Sequence, residues 1–231
     1  MTIESFKEHN TLSWNNANLF EQAFIHRSFI NENPRTGLVH NERLEFLGDA
    51  VLELIVTEYL YNTYPHQNEG DLTAYRSALV NAVTLGEVAT ALGFNDLMKL
   101  SKGEAKDVHR ARSSILADAY EAFVGALYLD QGYTVAKLFI TESLLGKTAD
   151  IIRKGLYKDA KSYVQEKSQE LYGLTPAYRV LKEEGPDHDK IFCVGIFFGE
   201  KSIAEGTGKS KQEAETSAAQ AALLQEGWVG K

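Results

Sequence analysis

The sequence predicts a larger all-α domain followed by a small α+β domain with the order α-β-β-β-α. Two observations divide the chain. Apolar residues recur at helical spacing through the first two thirds, whereas β-branched and aromatic runs, Tyr178-Arg-Val-Leu181 and Lys190-Ile-Phe-Cys-Val-Gly-Ile-Phe-Phe198, occur only in the last third. Size is the third: 231 residues suit one large domain or two smaller ones and can bury a sizeable core. The expected division is residues 1–152, a short linker 153–157 around Gly155, and residues 158–228.

The elements follow in order. Leu19, Phe20, Ala23 and Phe24 mark a short helix within Asn18 to Ile30, followed by His26-Arg27-Ser28. Asn31-Glu-Asn-Pro-Arg-Thr-Gly37 is a loop by its breakers. A long helix is expected from about Asn41 to Tyr61, ending near Pro65. In it Glu42, Glu45 and Asp49 stand at i, i+3 and i+7, within roughly a 60° sector at about 100° per residue. Leu44, Leu47, Val51 and Leu54 fall opposite as the expected core side, with Phe46 beside the acids. Stacked acids repel, so a helix built for solubility would interleave bases there, and only Arg43 is near.

Glu69-Gly-Asp71 opens a further helix with acid at its N-terminus, and Thr73 to Gly93 carries Leu79, Val80, Val83, Leu85, Val88, Ala89 and Leu92 at helical spacing. Glu69 reads as a capping or salt-bridging residue. The polar, basic run Leu100 to Ser113 contains Lys102, Lys106, His109, Arg110 and Arg112, able to meet phosphates or to form a solvated loop with Arg112 in an internal ion pair. It leads into Ser114-Ile-Leu-Ala-Asp-Ala-Tyr-Glu-Ala-Phe-Val-Gly-Ala-Leu-Tyr128, where Asp118 and Glu121 sit one turn apart on a helix rich in small residues. Such a helix is expected to be buried by close packing, and buried carboxylates need a partner. If the two acidic helices pack together, five carboxylates meet, and hard oxygen donors favour Mg²⁺. A solvated acidic face is the alternative. Another helix runs through Val135 to Leu145.

In the last third, Ser162 to Leu171 is expected to be helical, Ser202 to Gly206 a third strand, and Ser210 to Gln225 a helix whose alanines allow close approach to a sheet. The single Cys193 excludes an intramolecular disulfide and a cysteine-rich metal site, and its apolar neighbours predict a buried strand thiol. The N-terminus has no basic start or apolar run of a signal peptide, and no stretch reaches the ~18 apolar residues of a membrane span. A cytoplasmic protein with no membrane contact is expected.

Asn41-Glu-Arg-Leu-Glu-Phe-Leu-Gly-Asp-Ala-Val-Leu52 resembles the signature helix of the ribonuclease III family, and Ser114 to Gly132 resembles its second catalytic helix. His26-Arg-Ser28, Glu69 to Val80 and Arg112-Ser113 match in order and spacing, and the C-terminal part is similar to a double-stranded RNA-binding domain. The resemblance implies an all-α endonuclease domain acting on double-stranded RNA with Mg²⁺, Mn²⁺ substituting, and no organic cofactor. It implies Glu45, Asp118 and Glu121 as metal ligands, with Glu42 and Asp49 aligning water or a second ion. It further implies a homodimer in which Phe46 plugs a socket on the second subunit, and products with 5′-phosphate, 3′-hydroxyl and a short 3′ overhang, made from rRNA precursors and structured mRNA.

By the same resemblance Ser162, Gln165, Glu166 and Gln169 face one RNA minor groove, His188 enters the next, and Lys209 and Lys211 hold phosphate with the N–H groups at the helix start. Gln212 stands where the family often has a further lysine, and Glu183, Glu184, Asp187 and Asp189 add negative charge nearby. A net charge of −8 is unexpected for a nucleic-acid binder, so binding must rest on local clusters. A regulator that keeps the scaffold without cutting, and a metal phosphohydrolase acting on mononucleotides, are the rival readings.

Overall fold

In the computed structural model, residues 5–6, 13–106, 110–153, 157, 159–186 and 190–228 are described. The chain forms two compact units, Met1–Ala149 and Asp150–Lys231. Among the described residues no helix is long and apolar enough to cross a membrane.

The first unit is helical: α1 (Ala17–Ala23), α2 (Arg27–Glu32), α3 (Glu42–Thr63), α4 (Glu69–Leu79), α5 (Ala82–Ala91), α6 (Phe94–Leu97), α7 (Arg110–Gln131) and α8 (Tyr133–Ser143), with α9 (Thr148–Arg153) crossing the division. The short helix expected before His26 ends at Ala23, and the helical spacing expected through Thr73 to Gly93 is divided; in both places a side-chain cap starts a new helix. His26 accepts the Ser28 N–H at 3.3 Å and starts α2. Asn81 accepts the N–H groups of Val83 and Thr84 at 3.1 and 2.9 Å and starts α5, leaving Val83 65% exposed. A short polar side chain that satisfies two helix-start donors outweighs apolar periodicity.

The core is aromatic. Phe123 of α7 has Phe6, Phe20, Phe24, Phe94 and Phe139 around it, with ring centroids 5.0–5.9 Å apart. Tyr120 is fully buried and its hydroxyl donates to Ser143 Oγ at 2.8 Å, since Ser143 spends its own proton on the Phe139 carbonyl; burial pushes the phenol well above its ordinary pKa. Helices α3 and α7 pack with unusually close backbones. A Cβ on Gly48 would overlap the Glu121 carbonyl, and one on Gly125 would overlap the Leu44 carbonyl. The buried stripe of α3 is Leu44, Gly48, Val51, Leu52, Ile55, Val56 and Leu60. Leu54, expected in the core, is 58% exposed, because the acids border the buried stripe rather than oppose it.

The second unit contains α10 (Ala160–Tyr172), the strands β1 (Ala177–Glu184), β2 (Ile191–Phe198) and β3 (Lys201–Gly208), and α11 (Lys211–Gln225). The sheet is antiparallel in the order β1-β2-β3, with an irregularity between Val180 and Lys182. Val194, Ile196, Phe198 and Ile203 on one face pack on Val164 of α10 and Ala218, Ala219, Ala222 and Leu223 of α11. Fully burying a side chain such as Val164 or Ile196 contributes about 1.5–3 kcal/mol. Alanines on α11 meet glycines on β3: a Cβ on Gly206 would overlap the Ala218 nitrogen. Cys193 points to the other face, is only half-buried and lies 3.8 Å from Glu205 Oε2, so the expected buried thiol is corrected. Period-two alternation in β2 puts Val194 inside and its neighbour outside.

Candidate metal centre and RNA-binding face

The start of α3 is anchored by Asn41, which is buried and whose Nδ2 donates to the Ala23 carbonyl at 3.1 Å while its N–H donates to Ile25 at 2.9 Å. One turn on, Glu45 faces α7. The Gly48 and Gly125 approach brings the helices close enough that carboxylate oxygens of Glu45, Asp118 and Glu121 lie within 4.8 Å of one another. Three half-buried carboxylates at that spacing cannot all stay charged without a cation. Burial, then the charges of Asp118, Glu42 and Asp49, raises Glu45 to about 7. Burial, then Asp49, Asp118, Glu45 and Glu53, raises Glu121 to about 8. Burial pushes Asp118 up as well, with His26 opposing. The donors are all oxygen, the set a hard divalent cation takes.

The other two acids of the signature sit differently. Asp49 is exposed, and its charge acts on Glu121 more strongly than that of any other acid. Glu42 is not in the group of three; it pairs with Arg27 Nη1 at 3.2 Å, and His40 Nδ1 lies 3.6 Å from its other oxygen. Neither contact is visible in local sequence pattern; the one signal is that Arg27 lies within His26-Arg-Ser28, which resembles the family in order and spacing. Glu69 makes no cap, since Asn68 caps α4; its carboxylate accepts from Thr73 Oγ1 at 3.4 Å. In the basic run, Arg112 Nε donates to Asn95 Oδ1 at 2.7 Å, and the Lys102 N–H donates to Glu32 Oε2 at 3.0 Å. Lys106 ends a 3₁₀ turn. His109 lies outside the described residues, as does the side chain of Arg110.

Because the raised carboxyls bind protons in the fold that the unfolded chain has already released, their contribution to stability is present below pH 4.5 and is lost as pH rises through about 7 and 8. The metal-free protein is therefore expected to melt at progressively lower temperature from pH 5 to pH 8.5. Mg²⁺ should raise the melting temperature more at pH 8 than at pH 6, with proton release on binding measurable in weakly buffered titrations.

In the second unit Ser162, Gln165, Glu166 and Gln169 are all exposed on one side of α10. The helix is capped by Asp159, which accepts the Ser162 N–H at 2.9 Å. Ser162 and Gln165 also line a cavity of about 370 Å³ with Lys161, Tyr178 and Gln212. His188 lies outside the described residues. At the start of α11 the expected phosphate-binding N–H groups are already engaged in part: the Lys209 N–H donates to Glu213 Oε2 at 3.0 Å and the Glu213 N–H to Ser210 Oγ at 3.1 Å. Lys211 Nζ lies 3.5 Å from Glu183.

Two family models match the chain: ribonuclease-III-like over residues 16–148 and double-stranded RNA binding motif over residues 160–226. Ribonuclease 3 of Borreliella afzelii is 43% identical over 221 residues, covering 96% of this chain and 90% of that one. The chain belongs to the ribonuclease III family. Ribonuclease 3 of Carboxydothermus hydrogenoformans is 45% identical over 211 residues, covering 91% and 90% of the two chains. The nuclease domain of ribonuclease III from Campylobacter jejuni, solved in work on a region involved in its dimer formation, superposes with a TM-score of 0.54 at 37% identity, covering 61% of this chain and 97% of that one. The chain is thus a metal-dependent endoribonuclease specific for double-stranded RNA, with a helical nuclease domain and an α-β-β-β-α RNA-binding domain.

Proposed function

We propose that Glu45, Asp118 and Glu121 hold Mg²⁺, with Mn²⁺ able to replace it, and that Asp49 and Glu42 complete the catalytic group. The convergence of three raised carboxyls within 4.8 Å is the observation that carries this reading. A divalent cation held by these three residues would lower the pKa of a bound water and neutralise charge on the leaving oxygen. Asp49, exposed and acting on Glu121 through its charge, would accept a proton from an attacking water. Glu42, paired with Arg27, would align water or a second ion. No serine, cysteine or histidine nucleophile enters this scheme.

The reading extends to domain boundaries at 1–152, 153–157 and 158–228, a cytoplasmic setting, and processing of rRNA precursors and structured mRNA. The products carry 5′-phosphate, 3′-hydroxyl and a short 3′ overhang. Ser162, Gln165, Glu166 and Gln169 take a minor groove, His188 the next, and Lys209 and Lys211 the phosphates between. Mapping both ends on one defined RNA hairpin tests the assignment; blunt ends or 3′-phosphates would contradict it, and preferential turnover of mononucleotides would favour a phosphohydrolase.

A homodimer through α3 is part of the proposal. Phe46 is 82% exposed, and Leu54 and Tyr61 continue the uncovered apolar face of the same helix. A phenyl ring so exposed is costly unless a second surface covers it. The cavity of about 490 Å³ lined by Leu60, Tyr61, Leu72 and Arg76 offers room for such a ring. Phe46→Ala is expected to shift the sedimentation coefficient from dimer toward monomer at micromolar concentration; an unchanged dimer would remove Phe46 from the interface.

A further inference from the structure

We propose that Glu183 is an internal counter-ion of the RNA-binding domain, occupying lysines that duplex phosphates would otherwise take and so weakening and shortening the domain's hold on RNA. The proposal rests on the reading that Lys211 meets phosphate. Glu183 lies near the end of β1, and its two oxygens are divided between two cations: Oε1 is 3.5 Å from Lys211 Nζ and Oε2 is 3.6 Å from Lys190 Nζ. The Lys211 ammonium also lies over the ring of Phe192, 5.6 Å from its centroid, and Phe192 is the β2 partner of Glu183. The side chain is thereby drawn back onto the strand pair. One carboxylate thus restrains Lys211 of α11 and Lys190, the residue before β2.

The surroundings reinforce the effect. Glu213 takes the Lys209 N–H at the same helix start, and Lys161 near the N-terminus of α10 is paired with Glu215 at 2.6 Å. Residues 150–231 contain 12 Lys and Arg against 13 Asp and Glu, so the unit binds a polyanion without net positive charge. Exposed ion pairs of this kind are weak, so a phosphate can displace the carboxylate. Binding then exchanges one anion for another instead of releasing a full complement of counter-ions, which lowers both affinity and salt dependence. For an enzyme that must let go of its products, a reader of this kind favours turnover, while tethering keeps the local concentration high.

Glu184 provides the matched control, because it carries the same charge one residue along the strand and pairs with Lys182 instead. The test is fluorescence anisotropy of the full chain with a labelled RNA duplex, without divalent ions so that nothing is cut, over a range of KCl. Glu183→Gln is expected to tighten binding about threefold and to steepen the salt slope by about one, with Glu184→Gln changing Kd less than twofold. Lys211→Gln should weaken binding and remove most of the gain in the double variant. Equal effects of the two glutamate variants, or weaker binding by Glu183→Gln, would overturn the proposal while Lys211→Gln still weakens binding. An unchanged Kd in Lys211→Gln would instead remove the phosphate assignment, and the proposal with it.

Discussion

Glu121→Gln is expected to abolish cleavage of duplex RNA while leaving RNA binding intact. Glu121 carries the most strongly raised carboxyl among the three, pushed to about 8 by burial and by the charges of Asp49, Asp118, Glu45 and Glu53. Such a group stays ionised at neutral pH only when a cation compensates it, which is why the change should act through the metal. The amide keeps shape and volume but offers no charge, and loss of about 4 kcal/mol of transition-state stabilisation would cut the rate roughly a thousandfold. Single-turnover cleavage of an end-labelled hairpin measures the rate, and Mn²⁺ titration followed by electron paramagnetic resonance measures the site directly. Retention of tight Mn²⁺ binding together with normal cleavage would remove Glu121 from the centre. Intact RNA with retained binding in the parent protein as well would point to the regulator.

Gly48→Ala should be the most damaging single methyl in the nuclease domain. The added carbon would overlap the Glu121 carbonyl and sit 2.9 Å from the Gly125 nitrogen, with backbone on every side and no flexible side chain to yield. Overpacking usually costs about 1–3 kcal/mol, and a clash between two backbones belongs at the top of that range. The nuclease-domain transition is expected to fall by about 6–12 °C, read by calorimetry. Separation of α3 from α7 should also move Glu45 from Asp118 and Glu121, so divalent-ion affinity should drop even where the fold survives. Gly146→Ala is the control, since its Cβ meets nothing within 4 Å and should leave both quantities unchanged.

The helical first domain and the α-β-β-β-α second one were legible because each rests on local pattern. The acidic residues were visible as chemistry out of place, three acids without interleaved bases and two more on a small-residue helix. Other features escape periodicity. Apolar spacing from Thr73 to Gly93 is continuous, but Asn81 accepts the N–H groups of Val83 and Thr84 and divides the run with a local cap that apolar spacing does not register. Leu54 reads as core, and only the packing of α3 on α7 shows that the buried stripe runs through Gly48 and Leu52. Cys193 reads as buried from its neighbours, although the strand's pleat turns it outward.

By itself the sequence determined which residue types are available and on which elements they lie, because helix and strand periods are properties of adjacent residues. Tertiary structure alone decided which carboxylates converge, which bases hold Glu42, and which lysines are already occupied by acids. The physical reason is that electrostatic and hydrogen-bond energies depend on distance in space. Glu45 and Glu121 meet because two glycines on separate helices let their backbones touch.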